Sequence, residues 1–199
     1  VKDPYAPSVY GVGITGTKYQ PTINGVITKE YDLWHSMLQR CYSDAYQKKQ
    51  PTYEGCEVSD KFKSYEYFYE WCHKQIGFGN EGWHLDKDLL VKGNKVYSED
   101  TCVFVPSSIN NILCKRRGAR GEYLIGVTWN KRVKRFVSRC NRGEGVMQYL
   151  GYFDSQEEAF QTYKAYKEGI IKQIAEQYKD QLDPRAYQAL LNYTVEVTD

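Results

Sequence analysis

Residues Trp83–Asn111 read WHLDKDLLVKGNKVYSEDTCVFVPSSINN, and the organisation of the chain turns on them. A short apolar run near His84–Leu85 predicts a strand. A polar stretch follows as a loop, and Cys102–Val105 predicts a second strand. Pro106 stands where a helix can begin, because its fixed φ suits the first turn and its missing N–H is not needed there. Ser107–Lys115 would be that helix. The result is a strand–loop–strand–helix unit. It carries His84, the acidic pair Asp86 and Asp88 on either side of Lys87, Asn94 in the loop, and Asn110 and Asn111 together on the helix. Such a set is either a metal-dependent site or a hairpin with ordinary turn carboxylates.

Upstream, residues 1–29 are rich in Gly, Pro and Thr and have no helical period. They predict an extended arm with a short hairpin at Asn24-Gly25. From Glu30 to about Tyr46, apolar residues recur at intervals of three and four (Tyr31, Trp34, Leu38, Cys41, Tyr42), which predicts one helix with a buried face. A second helix is expected over Ser59–Lys74, with Phe62, Tyr65, Phe68, Tyr69 and Cys72 as its stripe and Gly77 and Gly79 as its stop. Trp34, Trp71 and the Tyr residues around them read as core, and Cys102 as a packing residue.

Downstream, CKRRGARGEY places two Gly among charges, as a hinge would, and sets an expected domain boundary near residue 118. After it, YLIGVTWNKR, RFVSRCNR and VMQYLGYF alternate as strands, with turns near Val133–Arg135 and at Gly143–Gly145. Ser155 with Glu158 forms a capping-box pattern at the head of a long helix expected to run towards Leu182. Asp183-Pro184 starts a shorter one, docked by Tyr187, Leu190 and Leu191. The expected class is α+β, with domains at 1–117 and 118–199.

The net charge of +2 says little, but its distribution is informative. From Lys115 to Arg142 there are ten basic residues against Glu122 alone, while the segments on either side carry more acids than bases. A basic block between acidic flanks is the pattern of a nucleic-acid surface. No apolar run approaches the length of about 18 residues that a membrane helix needs. The polar opening residues predict no secretory leader. The six Cys contain no C-x-x-C pair and are expected to be reduced. Cys41, Cys56 and Cys72 with His73 match no familiar zinc spacing, so a structural zinc is not expected.

The segment GVTWNKRVKRFVSRCNRGEGVMQYLGYFDSQEEAFQTYKAY resembles the Apetala-two (ethylene-response-factor) DNA-binding domain. The markers are the Gly-Val opening of strand one, Phe136 in strand two, YLGYFDS for strand three and EEAFQTY at the head of the helix. The resemblance implies a three-stranded antiparallel sheet that enters the major groove of double-stranded DNA, packed on a helix behind it. Alternation gives a separate reading. If Val127, Trp129, Phe136, Cys140 and Leu150 face the helix, then Thr128, Asn130, Arg132, Val137, Arg139, Asn141 and Tyr149 face outward, a polar and basic set. Arg116, Arg117, Arg120, Lys134 and Arg135 complete the expected DNA contacts. Thr128 and Asn130 stand where the family usually has Arg, and Tyr149 near its Trp, so a target sequence does not carry over.

The first half is similar to HNH endonucleases of the phage-encoded homing type, through LWHSMLQRCY, PTYEGCEVSD, HLDKDLL, GNKVYSEDTCVF and SSINN. The resemblance implies a ββα-metal unit that binds one Mg²⁺ or Mn²⁺ and hydrolyses or nicks a phosphodiester. Asp86 and Asn110 would be its metal ligands, and Asn94 would orient the loop or the base. If the chain is phage-encoded, the host cytoplasm is its expected location. Lys87 occupies the position of the family's general-base His. Three readings remain open. His84, two residues before Asp86 on the same strand face, takes the base role. Alternatively, Lys87, exposed in the loop, contacts phosphate and the metal itself generates the hydroxide. In the third, the site is inactive and the chain is a DNA-binding regulator or inhibitor. Nothing in the sequence sets the oligomeric state.

Overall fold

A computed structural model describes residues 3–114 and 121–199. The chain is a mixed α+β protein that divides into two compact units, Val1–Val105 and Pro106–Asp199. The boundary expected near residue 118 and the basic residues Lys115, Arg116, Arg117 and Arg120 lie outside the described residues.

In the first unit the described part of the arm is tied down at several points. Asn24 and Gly25 both take positive φ and join β1 (Thr22–Ile23) to β2 (Val26–Ile27) as an antiparallel hairpin. Ile14 bridges Ser64, and the amides of Thr17 and Lys18 both donate to Glu66 Oε1 at 2.8 Å. The ring of Tyr19 stacks on Tyr69 at 3.8 Å. Gly13 lies against the core so closely that a Cβ there would meet Leu38 Cδ1 at 2.5 Å.

Thr28 caps α1 (Lys29–Tyr42) by accepting from Tyr31 N–H. The single helix expected to Tyr46 is two. The Ser43 amide closes α1 on Gln39 O, and its side chain caps α2 (Asp44–Lys49) by accepting from Tyr46 N–H. The second expected helix also starts later than its period suggested. Ser59 N–H donates to Tyr97 O, extending the parallel pairing of β3 (Glu57–Val58) with β5 (Val96–Tyr97). A 3₁₀ turn over Lys61–Lys63 follows, and Ser64 caps α3 (Tyr65–His73). The two strands of the opening stretch are β4 (Trp83–Asp86) and β6 (Val103–Pro106), which pair with each other.

An aromatic core holds these short pieces. Trp34, Phe62, Tyr65 and Phe68 are fully buried, and Phe62 makes edge contacts with Phe68 and Trp71. Trp34 Nε1 donates to Phe62 O at 2.8 Å, so the polar edge of the deepest ring is satisfied. Of the residues considered for zinc, Cys41 lies by Cys56, Cys72 lies by Cys102, and His73 Nε2 bonds Glu30 at 2.7 Å. Burial pushes the Cys41 and Cys102 thiols up to about 12. Of the six cysteines, only Cys114 is exposed.

The second unit begins with α4 (Ser107–Leu113), entered from Pro106. Its sheet is β7 (Val127–Asn130), β8 (Arg135–Asn141) and β9 (Met147–Phe153), antiparallel in the order β7-β8-β9. Ser155 accepts from Glu158 N–H and starts α5 (Gln156–Gln177), whose buried face is Ala159, Phe160, Tyr163, Ile170, Ile171 and Ala175. The helix ends short of Leu182. Asp183 caps α6 (Pro184–Leu191), where Leu190 is buried and Tyr187 and Leu191 are half-buried. The chain then returns along α5, where Glu168 accepts from Val195 N–H and Lys164 donates to Val195 O. No helix among the described residues is long and apolar enough to cross a membrane.

Candidate functional site

The sheet of the second unit fixes which side chains share a face, because directly paired residues project to the same side. Val137 pairs with Thr128 on one side and Tyr152 on the other. Arg139 pairs with Tyr149, and Asn141 with Met147. One face therefore carries Thr128, Asn130, Val137, Arg139, Asn141, Met147, Tyr149 and Tyr152. The opposite face carries Val127, Trp129, Phe136, Ser138 and Cys140, and β8 and β9 pack on α5. Trp129, expected against the helix, is 38% exposed on the edge strand, where its ring packs on Phe136 at 4.8 Å.

Thr128, Arg132, Lys134, Arg139 and Tyr149 are exposed, whereas Asn130, Arg135 and Asn141 are partly engaged within the protein. Asn130 Oδ1 accepts from the amides of Arg132 and Val133 in the β7–β8 turn. Asn141 Oδ1 accepts from Gly143 N–H in the β8–β9 turn. Arg135 Nε donates to Asp154 Oδ1 at 2.9 Å.

Tyr152 was hidden from strict alternation, which would turn it towards the helix if Tyr149 faces outward. A β-bulge reverses the phase: the partners of Ser138 and Arg139 are Gly151 and Tyr149, so Leu150 is the extra residue. Gly151, at φ 130, was the available signal, since Gly inside a strand marks such irregularities.

In the first unit, Trp83 and Leu85 pack against the aromatic core, and alternation along β4 turns His84 and Asp86 to its other side. His84 is exposed and Asp86 half-buried. Asp86 Oδ1 accepts from the amides of Asp88 (3.0 Å) and Leu89 (2.7 Å), closing the turn that leaves the strand. Burial first, then repulsion from Asp88, raise the Asp86 carboxyl above its ordinary value, more than those two amides and Lys87 offset.

Asn94 ties the loop together. Its Nδ2 donates to Lys87 O and to Val96 O, both at 2.7 Å, and its Oδ1 accepts from Val96 N–H. Lys87 was expected to be exposed, but only 12% of its side chain is accessible. Its ammonium donates to Asn94 O at 3.2 Å, stands 3.5 Å from Asp88 Oδ2 and lies over the Tyr97 ring. The residue after Asp86 projects to the opposite side, and that side is the protein interior. Asn110, half-buried on α4, belongs to the second unit.

Among the described residues, no group of three or more His, Cys, Asp or Glu side chains is arranged to hold a metal ion. A hard divalent cation does not require one, since Mg²⁺ keeps several of its own waters and uses one or two carboxylates. Asp86, desolvated and beside a second carboxylate, suits that kind of ion. No protein-family model, curated protein or solved structure matches the chain.

Proposed function

We propose that the protein binds double-stranded DNA through the outward face of β7–β9 and acts on the phosphodiester backbone with the β4 loop, as an HNH-type endonuclease of the phage homing kind joined to an Apetala-two-type reader. The observation that supports this most is that one face of the sheet gathers Thr128, Arg139, Tyr149 and Tyr152, with Arg132 and Lys134 exposed in the adjoining turn. A three-stranded sheet offering cations and base-sized side chains on its free face suits the major groove. The division of labour has a physical basis. Backbone chemistry carries no sequence information, so a separate surface must supply it.

For the chemistry, Asp86 would, by the resemblance, hold a Mg²⁺ or Mn²⁺, which would neutralise charge building on the scissile phosphate. Asn94 fixes the loop that presents Asp86. His84, exposed and on the same side of β4, would take the proton from the attacking water. Lys87 acts as a clamp within the loop rather than as a phosphate contact. That role of Lys87 also favours a second reading, a binding-only regulator, because the position of the family's usual base is then purely structural.

Incubation of the full chain with supercoiled plasmid and Mg²⁺ or Mn²⁺ tests the enzyme. Nicking that is lost in Asp86→Asn supports it, and tight binding without cleavage in either metal supports the regulator. Asn at position 86 keeps the oxygen that accepts the two turn amides, so loss of activity would not reflect loss of fold. Its effect on stability has a definite sign. A raised folded-state pKa means that the Asp86 contribution is most favourable when protonated and is lost as pH rises through the carboxylate range. Asp86→Asn should therefore be more stable than the parent at neutral pH, with the difference closing in acid, as urea titrations at the two pH values would read. DNA affinity should also fall at least tenfold between low and near-physiological salt, since several cations would each displace a counterion.

A further inference from the structure

The sheet face holds more apolar surface than a purely polar reader needs. Thr128, Val137 and Tyr152 form a row across all three strands, in which Val137, expected outward, is buried and the apolar surface is supplied by the rings of β9. Beside it, Tyr149 stands opposite Arg139, and the Tyr149 and Tyr152 rings meet edge to face at 5.5 Å. Tyr149 is 47% exposed, Tyr152 39%, and Met147, further along β9, 57%. The Leu150 bulge creates this pairing, since an unbroken strand would place the two rings on opposite faces. Meanwhile the two turns occupy the side-chain oxygens of Asn130 and Asn141, and the Asn130 amide lies 3.4 Å from Tyr152 Oη. Thr128 and Arg139 are left as the face's least engaged hydrogen-bonding groups.

An apolar patch bordered by cations must meet a polyanion that itself offers something apolar. In the major groove of a duplex, base edges are polar except for one group, the C5-methyl of thymine. We propose that Tyr149 and Tyr152 select thymine by seating its methyl group against the exposed surface that their touching rings share, next to a base or phosphate held by Arg139. This rests on the DNA-binding reading above and adds the determinant of its specificity. Phenol rings suit the task, being rigid with few rotatable bonds, so little entropy is lost on contact.

The experiment uses the full chain. A preferred duplex is selected from a random pool, and each thymine in it is then replaced singly by deoxyuridine, which removes only the methyl group. Affinity is read by fluorescence anisotropy at fixed salt. At one or two positions the replacement should weaken binding about fourfold, the equivalent of one buried CH₂. Cytosine to 5-methylcytosine at the same positions of otherwise cytosine-substituted duplexes should recover part of the loss. Tyr149→Ala and Tyr152→Ala should bind thymine and deoxyuridine duplexes equally, whereas Tyr152→Phe should keep the discrimination. Duplex binding that is indifferent to every deoxyuridine replacement would overturn the thymine assignment and leave the DNA-binding reading standing. Failure to bind any duplex at low salt would overturn that reading and this inference together.

Discussion

The two units hold their strands by opposite means. In the second, seven-residue strands β8 and β9 form a long ladder, interrupted once by the Leu150 bulge and backed by a 22-residue helix. In the first, β1, β2, β3 and β5 have two residues each. Pairs that short contribute few backbone bonds, so the arrangement depends on particular side chains: the Trp34 indole on the Phe62 carbonyl, the Glu66 carboxylate on the arm, and Asn94 across its loop. A unit built from side-chain clasps should be hurt more by single deletions than one built on a ladder.

The largest test of that contrast is Trp34→Ala. It empties the centre of the aromatic core and strands the Phe62 carbonyl, so a loss of about 3–5 kcal/mol is expected. Peptide-resolved hydrogen exchange should show protection falling through the first unit while the second keeps its own. An equal fall in both would break the comparison. Next comes Asn94→Ala, which removes a donor from two carbonyls and an acceptor from one amide, at a cost of about 2 kcal/mol. The change should appear in urea midpoints, and faster exchange should be confined to residues 86–97.

In the second unit the expected effects are smaller, and one reverses sign. Ser138 Oγ is buried beneath α5 with no hydrogen-bond partner among the described residues, so Ser138→Ala should stabilise the protein by about 1 kcal/mol, read as a higher urea midpoint. A destabilisation would mean that the hydroxyl has a partner in solution, and would sharpen the account of how β8 packs. Smallest of all, Arg135→Ala breaks an ion pair with an exposed Asp154 and should cost only about 0.2–1 kcal/mol in stability. Any larger effect of that change should be on DNA affinity and should shrink as salt is added.

The same contrast explains what could be read from the sequence. In the second unit, alternation marked three strands, Ser155 and Glu158 marked the head of α5, and the exposed face was largely legible because each signal is local. Tyr152 escaped, since a bulge breaks the very rule being applied. In the first unit the helical faces of α1 and α3 were visible, but their ends were not. Ser43 both closes one helix and opens the next, and Ser59 is drawn into pairing with residues far along the chain. A two-residue parallel strand has no period to detect. Lys87 was misplaced for a related reason: the partners that draw it inward, the Asn94 carbonyl and the Tyr97 ring, are close only after the loop has folded. Asp86 and Asn94 were picked out by resemblance, and the turn-closing and loop-tying hydrogen bonds they make are visible only in the folded chain.

The distribution of the thiols has a practical consequence. Five are enclosed, and burial holds those of Cys41 and Cys102 in their unreactive protonated form, whereas Cys114 is open to solvent at the end of α4. A maleimide dye should therefore modify the unaltered chain at one position. Paired with a second dye on a DNA end, that natural attachment point would act as a molecular ruler for orientation on the duplex, without a single engineered cysteine.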